Sequence, residues 1–88
     1  MEFNMYSVMD QMTGKFMNPM FVEKDDHSDV MAIRQFKSNM NSIKLWKDNA
    51  NDFDLYLVGE FDDEAGAKAT PITKICSGRS LIDGSDEI

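Results

Sequence analysis

Among its 88 residues the chain has one cysteine, one histidine, one tryptophan and two prolines. A lone cysteine, Cys76, excludes an internal disulfide framework, and this usage fits a reducing compartment. A lone histidine argues against a zinc centre, which draws several Cys or His ligands at set spacing. His27 with the nearby Asp25 and Asp29 is the weakest of three functional readings, a small metal-dependent enzyme. A solvated helix start accounts for the same residues. Asp62-Asp63-Glu64-Ala65-Gly66 lacks the alternating ligands and terminal glutamate of a calcium loop and reads as a charged turn. No metal site is expected. No apolar run approaches the roughly 20 residues that cross a bilayer, so no membrane association is expected. The first eight residues carry Glu2 and no basic cluster, unlike a signal peptide. There is no GxGxxG, no phosphate loop of the Walker type and no histidine beside Cys76. The expectation is a binding protein with no cofactor and no catalytic residues.

Positive charge is also scarce: 9 Lys and Arg stand against 16 Asp and Glu, a net charge of −7. That balance excludes a protein that coats duplex DNA by bulk charge. The basic residues that exist are concentrated. All 16 acids lie outside residues 30–47, a stretch that holds Arg34, Lys37, Lys44 and Lys47 with the aromatics Phe36 and Trp46. Arg34 and Lys37, three apart, share a helix face. Trp46 lies between Lys44 and Lys47. Proteins that bind single strands combine cations for phosphates with rings on which bases stack. The candidate DNA-binding set is therefore Arg34, Lys37, Lys44, Trp46 and Lys47, with Tyr6 and Tyr56 as exposed rings for further stacking. A plainer account covers the same residues: Phe36 in the core, Trp46 capping the sheet, and the cations on a solvated helix face. The 8 methionines read first as packing filler, and also suit adaptable binding surfaces.

Residues 3–10 alternate, with Phe3, Met5, Ser7 and Met9 on one side and Asn4, Tyr6, Val8 and Asp10 on the other, which predicts a strand. A turn around Gly14 leads to a second strand at 16–22, demoted to an edge or bulge by Pro19. Ser28 is the expected N-cap of a helix over about 29–40, where Val30, Ile33, Phe36 or Lys37, and Met40 recur at helical spacing, and Asn39 and Asn41 are the expected terminators. Residues 42–52 form a loop with a short helical turn at 43–46. Residues 53–61 alternate again, placing Phe53, Leu55, Leu57, Gly59 and Phe61 on one face. A fourth strand at 68–75 contains Pro71, again an edge or bulge signal. The expected fold is α+β: a ββαββ order, giving a four-stranded, mainly antiparallel sheet with one helix packed on one face. Residues 1–79 make one domain, and 80–88 an acidic, flexible tail. A chain this short buries only about 60–65% of its unfolded surface, so a homodimer is expected.

The order Met5-Tyr6-Ser7-Val8-Met9-Asp10, Asn18-Pro19-Met20-Phe21, Ala32-Ile33-Arg34-Gln35-Phe36 and then Asp52-Phe53-Asp54-Leu55-Tyr56-Leu57-Val58-Gly59-Glu60-Phe61-Asp62, with Gly66 soon after, resembles a known family. It is similar to the small nonstructural DNA-binding protein of gokushovirus-type Microviridae bacteriophages, over about residues 5–82. The resemblance implies a phage replication protein in the host bacterial cytoplasm that handles single-stranded DNA before packaging, with phage or host replication proteins as further partners. Residues 44–51 depart from the family pattern, so the basic and aromatic character of that loop rests on its own residues. A second reading is an acidic adaptor, whose turn 62–64 and tail, with Asp83, Asp86 and Glu87, contact a basic protein partner.

Overall fold

The structure, a computed structural model, describes residues 1–82. The order of elements is β1 (Glu2–Asp10), β2 (Lys15–Phe16), β3 (Met20–Glu23), α1 (Ser28–Ser42), α2 (Lys44–Asp48), β4 (Phe53–Asp62) and β5 (Gly66–Ser77), with 3₁₀ turns at Ala50–Asp52 and Gly78–Leu81. All strand pairs are antiparallel. The sheet runs β2-β1-β4-β5, with β3 also paired to β1. The α+β fold is thus as expected, but the second strand is split. Asn18-Pro19 interrupts it, so five strands replace four. Proline has no N–H to give the ladder, and here the ladder breaks where it sits. The outer strand β5 holds Pro71 in its own irregular stretch, where Thr73 pairs with Leu57 and Ala69 with Gly59. Both hairpins turn on glycines with positive φ, Gly14 at 70° and Gly66 at 92°.

Helix α1 lies on one face of the sheet. Its buried stripe is Ser28, Ala32, Phe36 and Met40, a strict spacing of four. Sequence periodicity instead put Val30 inward, and Val30 is 50% exposed. The stripe meets Tyr6, Val8, Phe53 and Leu55 to form the core. Ser28 is not the N-cap. His27 occupies that position without a side-chain bond, and Asp25 accepts the His27 backbone N–H at 2.7 Å. Asn39 and Asn41 do not end the helix either; it continues to Ser42, and Asn41 bonds back to the Lys37 carbonyl at 2.9 Å. The chain continues beyond β5 across the expected boundary at residue 79. Gly78–Leu81 folds onto α1, where Asn41 donates to the Leu81 carbonyl at 2.9 Å, and Leu81 and Ile82 pack on the core. The rest of the expected tail, 83–88, lies outside the described residues.

A buried polar chain ties β1 to the start of α1. Asn4 Nδ2 donates to Ser28 Oγ at 2.9 Å and to the Tyr6 hydroxyl at 3.3 Å. The Tyr6 hydroxyl donates to Asp29, and Ser28 Oγ donates to the Asp25 carbonyl at 3.1 Å. Burial first, and the Asp29 carboxylate second, raise the Tyr6 pKa, so the hydroxyl stays a donor. Tyr6→Phe is expected to destabilise the fold by about 1–2 kcal/mol, since a buried hydroxyl bonded to a carboxylate is lost. Urea unfolding measures this; an unchanged midpoint would show that the chain of bonds carries no net stability.

Candidate nucleic-acid interface

Strand register assigns each side chain to a face. Tyr6 opposes Leu57, Val8 opposes Leu55 and Asp10 opposes Phe53, all on the side of α1. Between Met5 and Tyr6 the register shifts, because Met5 opposes Gly59 and Val58 is left over. Such an extra residue turns every side chain beyond it to the other face. Gly59 and Phe61 therefore leave the face of Phe53, Leu55 and Leu57 and join Tyr56 on the opposite side. This corrects the single face read from the alternation of residues 53–61.

The result is a sheet face that no helix of the described residues covers, carrying five aromatic rings. Phe3 and Phe61 lie 6.4 Å apart between centroids. Phe21 meets Phe61 edge-on at 5.4 Å, and Phe16 meets Tyr56 edge-on at 5.6 Å. Phe16 is 40% exposed and Phe21 50%. Met5 and Met9 lie on the same face. The Gly59 position is closely filled: a Cβ there would stand 2.7 Å from Met5 Cε. Three charged residues share this face: Glu23, opposite Phe3, with Asp54 and Lys74. Asp54 accepts from Gln11 at 2.9 Å and pairs with Lys74 at 3.7 Å. Edge-to-face contacts fix ring orientation and leave other ring faces open to a partner.

The fold divides the candidate residues read from sequence. Arg34 and Lys37 lie on the outer side of α1 and line a shallow groove with Ser38, Asn41 and Ser42. Lys44 and Lys47 lie on α2, also exposed. Lys44 is held by Asp48 at 2.6 Å, and that bond raises its pKa. Trp46 is half-buried, with one ring face stacked on Phe53 at 5.0 Å and 18°. Tyr6 is fully buried, and this corrects its assignment as an exposed stacking ring. Its side of β1 is the side that α1 covers. Tyr56 alone among the candidates reaches the open face. Sequence reasoning missed Phe16, Phe21 and Phe61 as site residues. The signal available was Phe3, Met5 and Met9, a row of apolar side chains on β1 opposite to Tyr6 and Val8.

His27 is exposed at the start of α1, and among the described residues no three of His, Cys, Asp and Glu come together as a metal site. Cys76 is half-buried, and burial pushes its thiol pKa up, away from the reactive thiolate. Among the described residues no helix is long and apolar enough to cross a membrane.

These features define an α+β domain with a one-sided antiparallel sheet and an exposed aromatic face. The chain belongs to the Phage ORF5 protein family, whose model matches residues 3–81. It is a phage protein. No curated protein and no solved structure matches it.

Proposed function

We propose that this phage protein binds single-stranded DNA without catalysing a reaction. The open aromatic face carries the reading. Four-stranded sheets with exposed rings stack unpaired bases in other folds, and rings accept any base because every base has a π-face. Phe16, Phe21, Tyr56 and Phe61 would receive bases. Phosphates would follow Lys74 on the same face, then turn over the end of the sheet towards Lys47, Arg34 and Lys37. The register supports that path. Phe16 and Phe53 lie at one end of the sheet, opposite Met9 and Asp10, and Trp46 stacked on Phe53 holds α2 at that end. The acids of residues 60–64 lie at the other end, where Asp62 opposes Glu2. The setting this reading supports is genome replication or strand handling in a small single-stranded DNA phage of the Microviridae, in the host cytoplasm.

Anisotropy of a labelled oligothymidylate, read at several salt concentrations with duplex competitor, tests the reading. Binding is expected to prefer the single strand and to weaken with salt by roughly 0.7 log unit per log unit for each phosphate contacted. A preference for duplex, or no binding at low salt, would contradict it. The cations differ in their expected weight. Arg34→Ala is expected to reduce the salt slope by about 0.7. Lys44→Ala is expected to leave the slope almost unchanged, because Asp48 already neutralises Lys44. Equal effects of the two would refute the assigned path.

A further inference from the structure

A groove of about 930 Å³ lies between α1 and β3, bordering the aromatic face at Phe21. One wall is the N-cap His27 with a single stripe of α1, Met31, Gln35 and Asn39, spaced four apart. The other wall is β3, and all four of its residues, Met20–Glu23, line the groove. Successive strand residues point to opposite faces, so contact with all four means that the groove follows the strand's outer edge. Within the sheet β3 pairs with β1 on its inner side, and its outer side is an edge. Met17 and Trp46 close one end. Glu23 and Asp25 stand at the other, and no lysine or arginine lines any part of the groove.

We propose that this groove binds an extended peptide segment of a protein partner, apolar at alternate positions and carrying Lys or Arg at one end. The segment adds to the edge of β3 through main-chain hydrogen bonds, the mode by which exposed edges capture strands. Four paired residues at about 3.3 Å each call for a segment of roughly five residues. Its inward side chains meet Met17, Met20 and Met31, whose unbranched thioethers adapt to varied shapes. Its basic end meets Glu23 and Asp25. The same two carboxylates repel phosphate, so the groove is a poor nucleic-acid site. The groove shares Phe21 with the aromatic face, while Phe3, Phe16, Tyr56 and Phe61 lie off it, so most of the DNA-binding face stays open when the groove is filled.

Selection from a displayed random peptide library on the immobilised chain tests this. The selected peptides are then mapped on the ¹⁵N-labelled protein. The expected peptides alternate apolar residues and end in Lys or Arg, and they shift the amides of residues 20–23, 31 and 35. Met31 is 50% exposed, so Met31→Arg is compatible with the fold. It is expected to weaken binding at least tenfold by filling the groove and repelling the basic end. Glu23→Lys, also at an exposed position, is expected to turn the preference towards acidic ends. Oligothymidylate binding is expected to be unchanged in Met31→Arg, which lies on α1 away from the aromatic rings. Four results would overturn the proposal: no enrichment of any sequence, equal binding to Met31→Arg, shifts confined to the aromatic face, or shifts of residues 20–23 that track the chain's own concentration without peptide. The last would make a second copy the occupant.

Discussion

Phe21→Leu is expected to lower the affinity for oligothymidylate about tenfold, while Phe21→Tyr is expected to leave it within about twofold. Leucine keeps apolar surface at this position but removes the flat π-face. Tyrosine keeps both. The comparison therefore separates base stacking from general hydrophobic contact. A stacked base is worth about 1–3 kcal/mol, and tenfold corresponds to about 1.4 kcal/mol. Phe16 and Phe21 sit in separate ring pairs, with Tyr56 and with Phe61, so their losses are expected to add. The double replacement by leucine should then lower affinity about a hundredfold. Both rings are substantially exposed, so stability should change by less than about 1 kcal/mol. Equal affinities for the leucine and tyrosine variants would remove the aromatic face from DNA binding.

The second large effect falls on stability. Phe36→Ala is expected to destabilise the domain by about 3–5 kcal/mol, through lost transfer energy and the cavity left behind. Phe36 is fully buried against Tyr6, Leu55 and Met40, which are also fully buried. A chain this short has a thin margin, so a substantial unfolded population is expected at 37 °C. Phe36→Leu should be milder, at most about 1.5 kcal/mol. Thermal unfolding followed by circular dichroism measures both. A loss under about 1 kcal/mol for the alanine variant would mean that the helix does not seal the core as described.

Phe36 also shows what could be read from the sequence. Helical spacing placed it on the inner face of an amphipathic helix, and the alternation of residues 3–10 and 53–61 placed the two central strands. Those signals are local, and local periodicity determines element type. The candidate site was less legible, because it depends on which face of the sheet the helix covers. Alternation separates Tyr6 from Met5 but does not say which is buried. Tyr6 was expected to be an exposed ring, yet its side of β1 is the buried one, because Asn4, Tyr6, Ser28 and Asp29 satisfy one another's hydrogen bonds. The extra residue at Val58 was a second obstacle. It moves Phe61 across the sheet, and nothing in Leu57-Val58-Gly59 marks it except the glycine. Trp46 was read as a free ring or as a sheet cap. Its stacking on Phe53 supports the second description, while its place at the end of the groove between α1 and β3 gives it a further surface.

The charge pattern can be understood in the same terms. A net charge of −7 opposes binding of any polyanion at long range, so contact with DNA must be local. Stacking on uncharged rings supplies attraction that salt does not screen. The salt dependence should accordingly be shallower than for a basic single-strand binder, and substantial affinity should survive at moderate salt.

The most direct test of the central claim is titration of the ¹⁵N-labelled chain with a short oligothymidylate, read by amide and aromatic chemical shifts. The account predicts saturable shifts at Phe16, Phe21, Tyr56 and Phe61, with smaller ones at Lys47 and Lys74 and none along Met20–Glu23 beyond Phe21 itself. Shifts confined to α1 and α2 would contradict it and return the site to the basic strip alone. Face residues that already shift with protein concentration, and do not respond to DNA, would contradict it equally, because the aromatic face would then be the contact between two copies of the chain.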